Sequence, residues 1–150
     1  MKKKRYSAIL LAVFILLTLM ATRTAAAFCF EEAGRMYNVS PLLLWAIAKV
    51  KSNFNPGAIN ENENGTYDYG VMQINSSWYG TLGPEGWSGL CDACQNVRTG
   101  AWILAQCVKS CGYNWEAVGC YNAKSSKKRR AYAAKVQKVV QAVYQQRGSR

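Results

Sequence analysis

The sequence predicts a mainly α domain (α+β in detail) with one small β-hairpin, stapled by disulfides and exported behind a leader. Three observations carry this expectation. Apolar residues recur at helical spacing in several stretches. A polar, turn-rich segment containing Asn64-Gly65 interrupts them. An even number of cysteines, six, follows a leader-like N-terminus.

The leader comes first. Lys2, Lys3, Lys4 and Arg5 make a positive start, and Ala8 to Met20 is an apolar run of 13 residues. Ala25, Ala26 and Ala27 supply the small residues of a cleavage site, which puts the cut after Ala27. The run falls short of the ~20 residues that a membrane-spanning helix needs, which argues against an anchor. Phe28 precedes Cys29, where a lipid-attachment site wants a small residue. The mature domain is therefore expected to be residues 28–150, exported to a periplasm or outside the cell as a monomer.

Glu31 to Tyr37 reads as a short first helix, with acids in its first turn as the helix dipole favours. Ser40-Pro41 starts the next, with Ser as N-cap and Pro at the first helical position. Leu42 to Ala48 is apolar nearly all round, the pattern of a helix buried in the middle of a domain. Asn55-Pro56-Gly57 breaks it, so it should end near Asn53. Residues 58–70 hold the hairpin, and Val71 to Ile74 follow. A glycine-rich loop is expected through Gly80, Gly83-Pro84, Gly86 and Gly89. Val97, Ala101, Leu104 and Val108 recur at helical spacing, and Trp115 to Tyr121 gives another turn or two. Tyr132, Val136, Val139, Val140 and Val143 place an apolar stripe on a last helix.

Cys29, Cys91, Cys94, Cys107, Cys111 and Cys120 all lie in the mature chain. Behind an export signal they read as three disulfides of open pairing. Cys91-x2-Cys94 and Cys107-x3-Cys111 also have zinc-like spacing, but an oxidising destination favours disulfides. No cofactor or metal is therefore expected. The chain has no histidine, which excludes Ser-His-Asp and Cys-His nucleophiles and HExxH zinc hydrolysis. Acid–base work must come from carboxylates, Lys, Tyr or Cys.

The mature chain carries 14 basic and 8 acidic residues, and nine of the basic ones fall in residues 124–150, where there is no acid. The block Lys127-Lys128-Arg129-Arg130 suits contact with an anionic surface or, equally, a solvated helix start. An exported protein rarely meets nucleic acid, so that partner is discounted.

Three stretches belong together. They are Ala46-Ile47-Ala48-Lys49-Val50-Lys51-Ser52-Asn53-Phe54-Asn55-Pro56, Asn64-Gly65-Thr66-Tyr67-Asp68-Tyr69-Gly70-Val71-Met72-Gln73-Ile74-Asn75-Ser76, and Val118-Gly119-Cys120-Tyr121-Asn122-Ala123. In order and spacing they resemble the motifs of the soluble lytic transglycosylase-like family, which implies a lysozyme-like fold. The branch most resembled is the small exported type that accompanies secretion, pilus and conjugation machines. The resemblance implies peptidoglycan glycan strands as partner and such an apparatus as a second one. It also implies cleavage of the MurNAc–GlcNAc β-1,4 bond with formation of 1,6-anhydro-MurNAc. One glutamate at the end of the buried helix would protonate the glycosidic oxygen. That chemistry needs a carboxyl in an apolar pocket, where burial keeps it protonated near neutral pH.

At the glutamate's place this chain has Lys51. Lysine inverts the charge and needs a large pKa depression to act as acid or base. Asp68 resembles lysozyme's second carboxylate, which stabilises charge without donating the proton. Gln73 and Asn75 resemble residues that bond sugar N-acetyl and hydroxyl groups, while Tyr121 and Asn122 match a cleft-lining pair. Their structural alternatives are loop capping and core packing. Ser52 resembles the residue that supports the missing carboxylate, and it is counted with Gln73, Asn75, Tyr121 and Asn122 among the expected substrate-binding residues. Trp78, Tyr79 and Trp87 are candidates for stacking on sugar rings. Lys124 replaces the family's usual glycine, and Val71 its usual leucine. Four readings follow: a non-cleaving peptidoglycan or secretion-machine binder; an active enzyme carrying an isolated Lys51 change; unconventional catalysis; and a cationic module acting on membranes.

Overall fold

The computed structural model describes residues 28–149, so the expected leader and its cleavage site lie outside the described residues. Helix α1, Phe30–Tyr37, carries Glu31 and Glu32 in its first turn and ends on Asn38 in the left-handed conformation. A Cβ on Gly34 would meet Pro41 and the Val39 carbonyl at 2.8 Å, so glycine lets the next helix start close by. Helix α2, Pro41–Ser52, begins as read: Ser40 Oγ accepts from the Leu43 amide, and Pro41 is its first residue. It stops at Asn53, also left-handed, and buries Leu44, Ala46, Ile47 and Ala48.

The expected hairpin is β1, Ile59–Glu61, paired antiparallel with β2, Tyr67–Tyr69. Asn62 donates to the Thr66 carbonyl across the turn, and Gly65 takes the positive φ of 77° that the turn requires. The sheet has one strand more than the sequence suggested. β3, Ile74–Asn75, pairs with β2 and sets Asn75 opposite Asp68. Two residues are too short a strand for alternation to reveal.

The glycine-rich segment is not a loop. It forms a 3-10 turn, Ser76–Trp78, and then α3, Tyr79–Ser88. Gly83, at φ 70° and ψ 173°, breaks α3 in two, and Pro84 restarts it as a proline tolerates at a helix beginning. A second 3-10 turn, Gly89–Cys91, leads into α4, Ala93–Cys111, whose first turn Asp92 caps through the Gln95 amide at 2.7 Å. Helix α5, Trp115–Asn122, and α6, Ser126–Gly148, complete the order. α6 packs on α2 and α5, and α4 packs on α1 and α5. Leu44, Ile47, Met72, Ile74, Leu90, Leu104 and Val136 are fully buried among these layers. The mainly helical, lysozyme-like architecture with a small sheet is thus the one observed. No helix among the described residues is long and apolar enough to cross a membrane.

Two disulfides staple the helices. Cys29–Cys94 ties the start of the domain to α4, and Cys107–Cys120 ties α4 to α5. The expected third bond is absent, because Cys91 and Cys111 are free thiols. They flank the 19 residues of α4, roughly 28 Å of helix, whereas a disulfide needs Cα atoms within about 7 Å.

One buried side chain fixes the segment that leads from the sheet into the core. Asn96, fully buried, accepts from the Met72 amide at 2.8 Å and donates to the Tyr69 and Leu90 carbonyls. Gly70, at φ 79°, leaves room for it, since a Cβ there would stand 2.1 Å from Asn96 Nδ2.

Candidate functional site

The end of α2, the sheet, α5 and α6 line a cleft of about 1460 Å³. Lys51, Asp68, Gln73, Asn75, Tyr121 and Asn122 all border it, so residues far apart in sequence meet as the motif reading expected.

Lys51 lies in the last turn of α2 with 13% of its side chain exposed. Its ammonium stands 4.0 Å from Asp68 Oδ2 and 5.4 Å from the Tyr132 ring centroid. Burial lowers its pKa from the usual lysine value, and the Asp68 carboxylate opposes that shift. Asp68 Oδ1 accepts from Asn75 at 2.7 Å and from Asn62 at 3.3 Å. Asn75 follows from the β2–β3 register, and its own oxygen caps the 3-10 turn through the Ser77 amide. Its amide nitrogen also reaches Thr66 Oγ1 at 3.0 Å.

Gln73 is 7% exposed and has φ 53°. Its amide nitrogen donates to the Ala58 and Gly70 carbonyls, so this half of the side chain ties down the loop before β3. Tyr121 donates to the Met72 carbonyl at 2.9 Å. Burial, then Tyr132 and Asp68, pushes its phenol well above the ordinary value, which keeps it neutral. Ser52 departs from the expectation. It does not border the cleft, because its hydroxyl bridges the carbonyls of Val71 at 2.8 Å and Ala48 at 3.3 Å.

Of the three aromatic candidates, Trp78 borders the cleft and packs edge-on against Trp102. Trp87 packs instead on Tyr67 and Tyr79.

The structure adds Tyr132 to the site. The sequence placed it on the apolar stripe of the last helix, yet its ring lies under the Lys51 ammonium at the cleft. Its hydroxyl is buried with no hydrogen-bond partner among the described residues, and burial raises its pKa. The signal that could have found it is the spacing Lys128, Tyr132, Lys135, which puts charge and ring on one helical face. Within Lys127–Arg130 the residues divide. Arg129 is structural, bonded to Glu116 at 3.1 Å and to the Ala123 carbonyl at 2.9 Å, while Lys128 is exposed at the cleft.

The polar floor is held by bonds within the protein, with Gln73 and Asn75 tying down loop and turn and Tyr121 bonded to the Met72 carbonyl. It lacks a carboxyl group at position 51, and Asp68 serves as an acceptor for two amides facing a cation. Zinc chemistry finds no thiolate pair here. Cys29, Cys94 and Glu32 lie within 4.8 Å of one another, but the two sulfurs are bonded together.

Residues 28–142 match the transglycosylase SLT domain family, and the chain belongs to that family. Among its relatives is the invasion protein IagB of Salmonella typhimurium, 43% identical over 129 residues, covering 81% of each chain. Protein IpgF of Shigella flexneri is 40% identical over 121 residues, covering 79% of each. The X polypeptide of Escherichia coli K12 is 36% identical over 134 residues, covering 83% of this chain and 79% of that one.

Proposed function

We propose that this lytic transglycosylase-like protein is exported, enters the cell wall and holds peptidoglycan glycan strands without cutting them. The observation that carries the reading is Lys51, a cation at the cleft-facing end of α2 where the reaction needs a proton-donating carboxyl. Asp68 is an unsuitable substitute because its oxygens accept from Asn75 and Asn62 and face Lys51. Asn75, Gln73, Tyr121 and Asn122, which resemble the family's sugar-binding residues, all border the cleft, and this supports glycan binding. The domain is residues 28–150, released by cleavage after Ala27. That one relative is named an invasion protein supports action beside a secretion, pilus or conjugation apparatus.

The cleft residues also favour a second reading, an enzyme site disabled at one residue. Purified residues 28–150 and a Lys51→Glu variant would be incubated with peptidoglycan and anhydromuropeptides sought by mass spectrometry. The proposal expects co-sedimentation of both proteins with insoluble peptidoglycan and no product from the unmodified chain. Product from the variant alone places the loss at position 51. Product from the unmodified protein overturns the non-cleaving reading.

A further inference from the structure

Lys128, Tyr132 and Lys135 share one face of α6, at spacings of four and three residues, and all three border the cleft. Lys124, just before the helix, borders it too. Lys124, Lys128 and Lys135 are exposed, and none has an acidic partner within ion-pair distance among the described residues. Glu61, Glu63 and Asp68 border the same cleft from β1, the turn after it and β2. Lys51 stands between the two sides, near Asp68 on one and Tyr132 on the other. The cleft is therefore polar across its width, with cations along α6 and carboxylates along the sheet.

We propose that the α6 side of the cleft recognises the free carboxylates of the peptides attached to a bound glycan strand. This deepens the peptidoglycan reading and rests on it. In a peptide-bearing strand the lactyl carboxyls are tied up as amides, so the sugars themselves offer no charge to three unpaired lysines. A uniformly anionic polymer would meet repulsion from Glu61, Glu63 and Asp68. A glycan bearing peptides with both carboxylates and amines satisfies both sides at once. The lysines border a concave channel, beside the residues that resemble the family's sugar-binding ones, which disfavours a flat lipid surface as the occupant.

The test uses soluble peptide-bearing glycan strands of one length, with their peptide carboxylates free or capped as neutral amides, at low salt. Dissociation constants would be measured for residues 28–150 and for a Lys128→Glu/Lys135→Glu variant, whose fold is checked by circular dichroism. Both positions are exposed, so the variant is expected to fold. The unmodified domain should bind uncapped strands about fivefold to tenfold more tightly than capped ones, as two exposed charge contacts allow. The preference should vanish in the variant and shrink with added salt. Equal binding of uncapped and capped strands by the unmodified domain overturns this proposal and leaves the peptidoglycan reading standing. Binding of neither overturns both. A preference that survives in the variant also overturns the role given to α6.

Discussion

Lys51 Nζ stands 4.0 Å from Asp68 Oδ2, with the Tyr132 ring on its other side. Burial holds the Lys51 pKa below its unfolded value of 10.5, so the unfolded chain binds that proton more tightly. Between the lowered pKa and 10.5, stability rises with pH; below that window the full penalty applies. Replacing the pair together, as Lys51→Met/Asp68→Asn, removes the penalty without leaving a lone buried carboxylate, and the amide oxygen at position 68 can keep both amide donors. The variant should be more stable near neutral pH by ~1 kcal/mol, with the gap closing as pH rises through the window. Denaturant melts of both proteins at several pH values check this, and a pH-independent gap would contradict it.

Asn96→Ala should cost at least about 2 kcal/mol, because it orphans the buried Met72 amide and two carbonyls together. It should also loosen the segment carrying Gln73. Urea unfolding gives the first quantity, and amide exchange at Met72 and Gln73 gives the second.

Alkylation under denaturing, non-reducing conditions should add two labels per chain, on Cys91 and Cys111. Peptide mapping should find Cys29 joined to Cys94 and Cys107 to Cys120. Removing the second bond through Cys107→Ala/Cys120→Ala should cost about 3 kcal/mol, since it closes a short loop around the start of α5.

Tyr121→Phe strips the buried Met72 carbonyl of the phenol donor. A stability loss of about 1–2 kcal/mol is expected. Thermal melts measure it, and an unchanged midpoint would show that the hydrogen bond contributes nothing net.

Strong local signals made much of this legible in the sequence. Ser40-Pro41 and Asn53 bracket α2 through capping that is independent of the rest of the chain, and Asn64-Gly65 makes its turn from its own backbone preferences. The glycine-rich segment misled because four glycines suggest a loop, whereas only Gly83 breaks the helix there. Disulfide pairing and the position of Tyr132 depend on how α6, α4 and α1 pack, which no short window of residues encodes. Even parity of cysteines suggested a complete set of bonds; the rigid length of α4 prevents it. The cleft residues Asp68, Asn75 and Tyr121 were found through motif order, but Ser52 faces backbone instead because its hydroxyl meets two carbonyls as α2 ends.

The unpaired sulfurs at the two poles of α4 give each molecule a connectivity of two. Joined in register, like to like, copies pair alternately through their Cys91 ends and their Cys111 ends; joined unlike to like, they run head to tail. With a thiol at each pole, bonds between copies can extend into a string, or into a ring where the head-to-tail rotation closes. On a non-reducing gel, oxidation between copies should thus give a ladder rather than a single dimer band, collapsing to one rung when either thiol is replaced by serine.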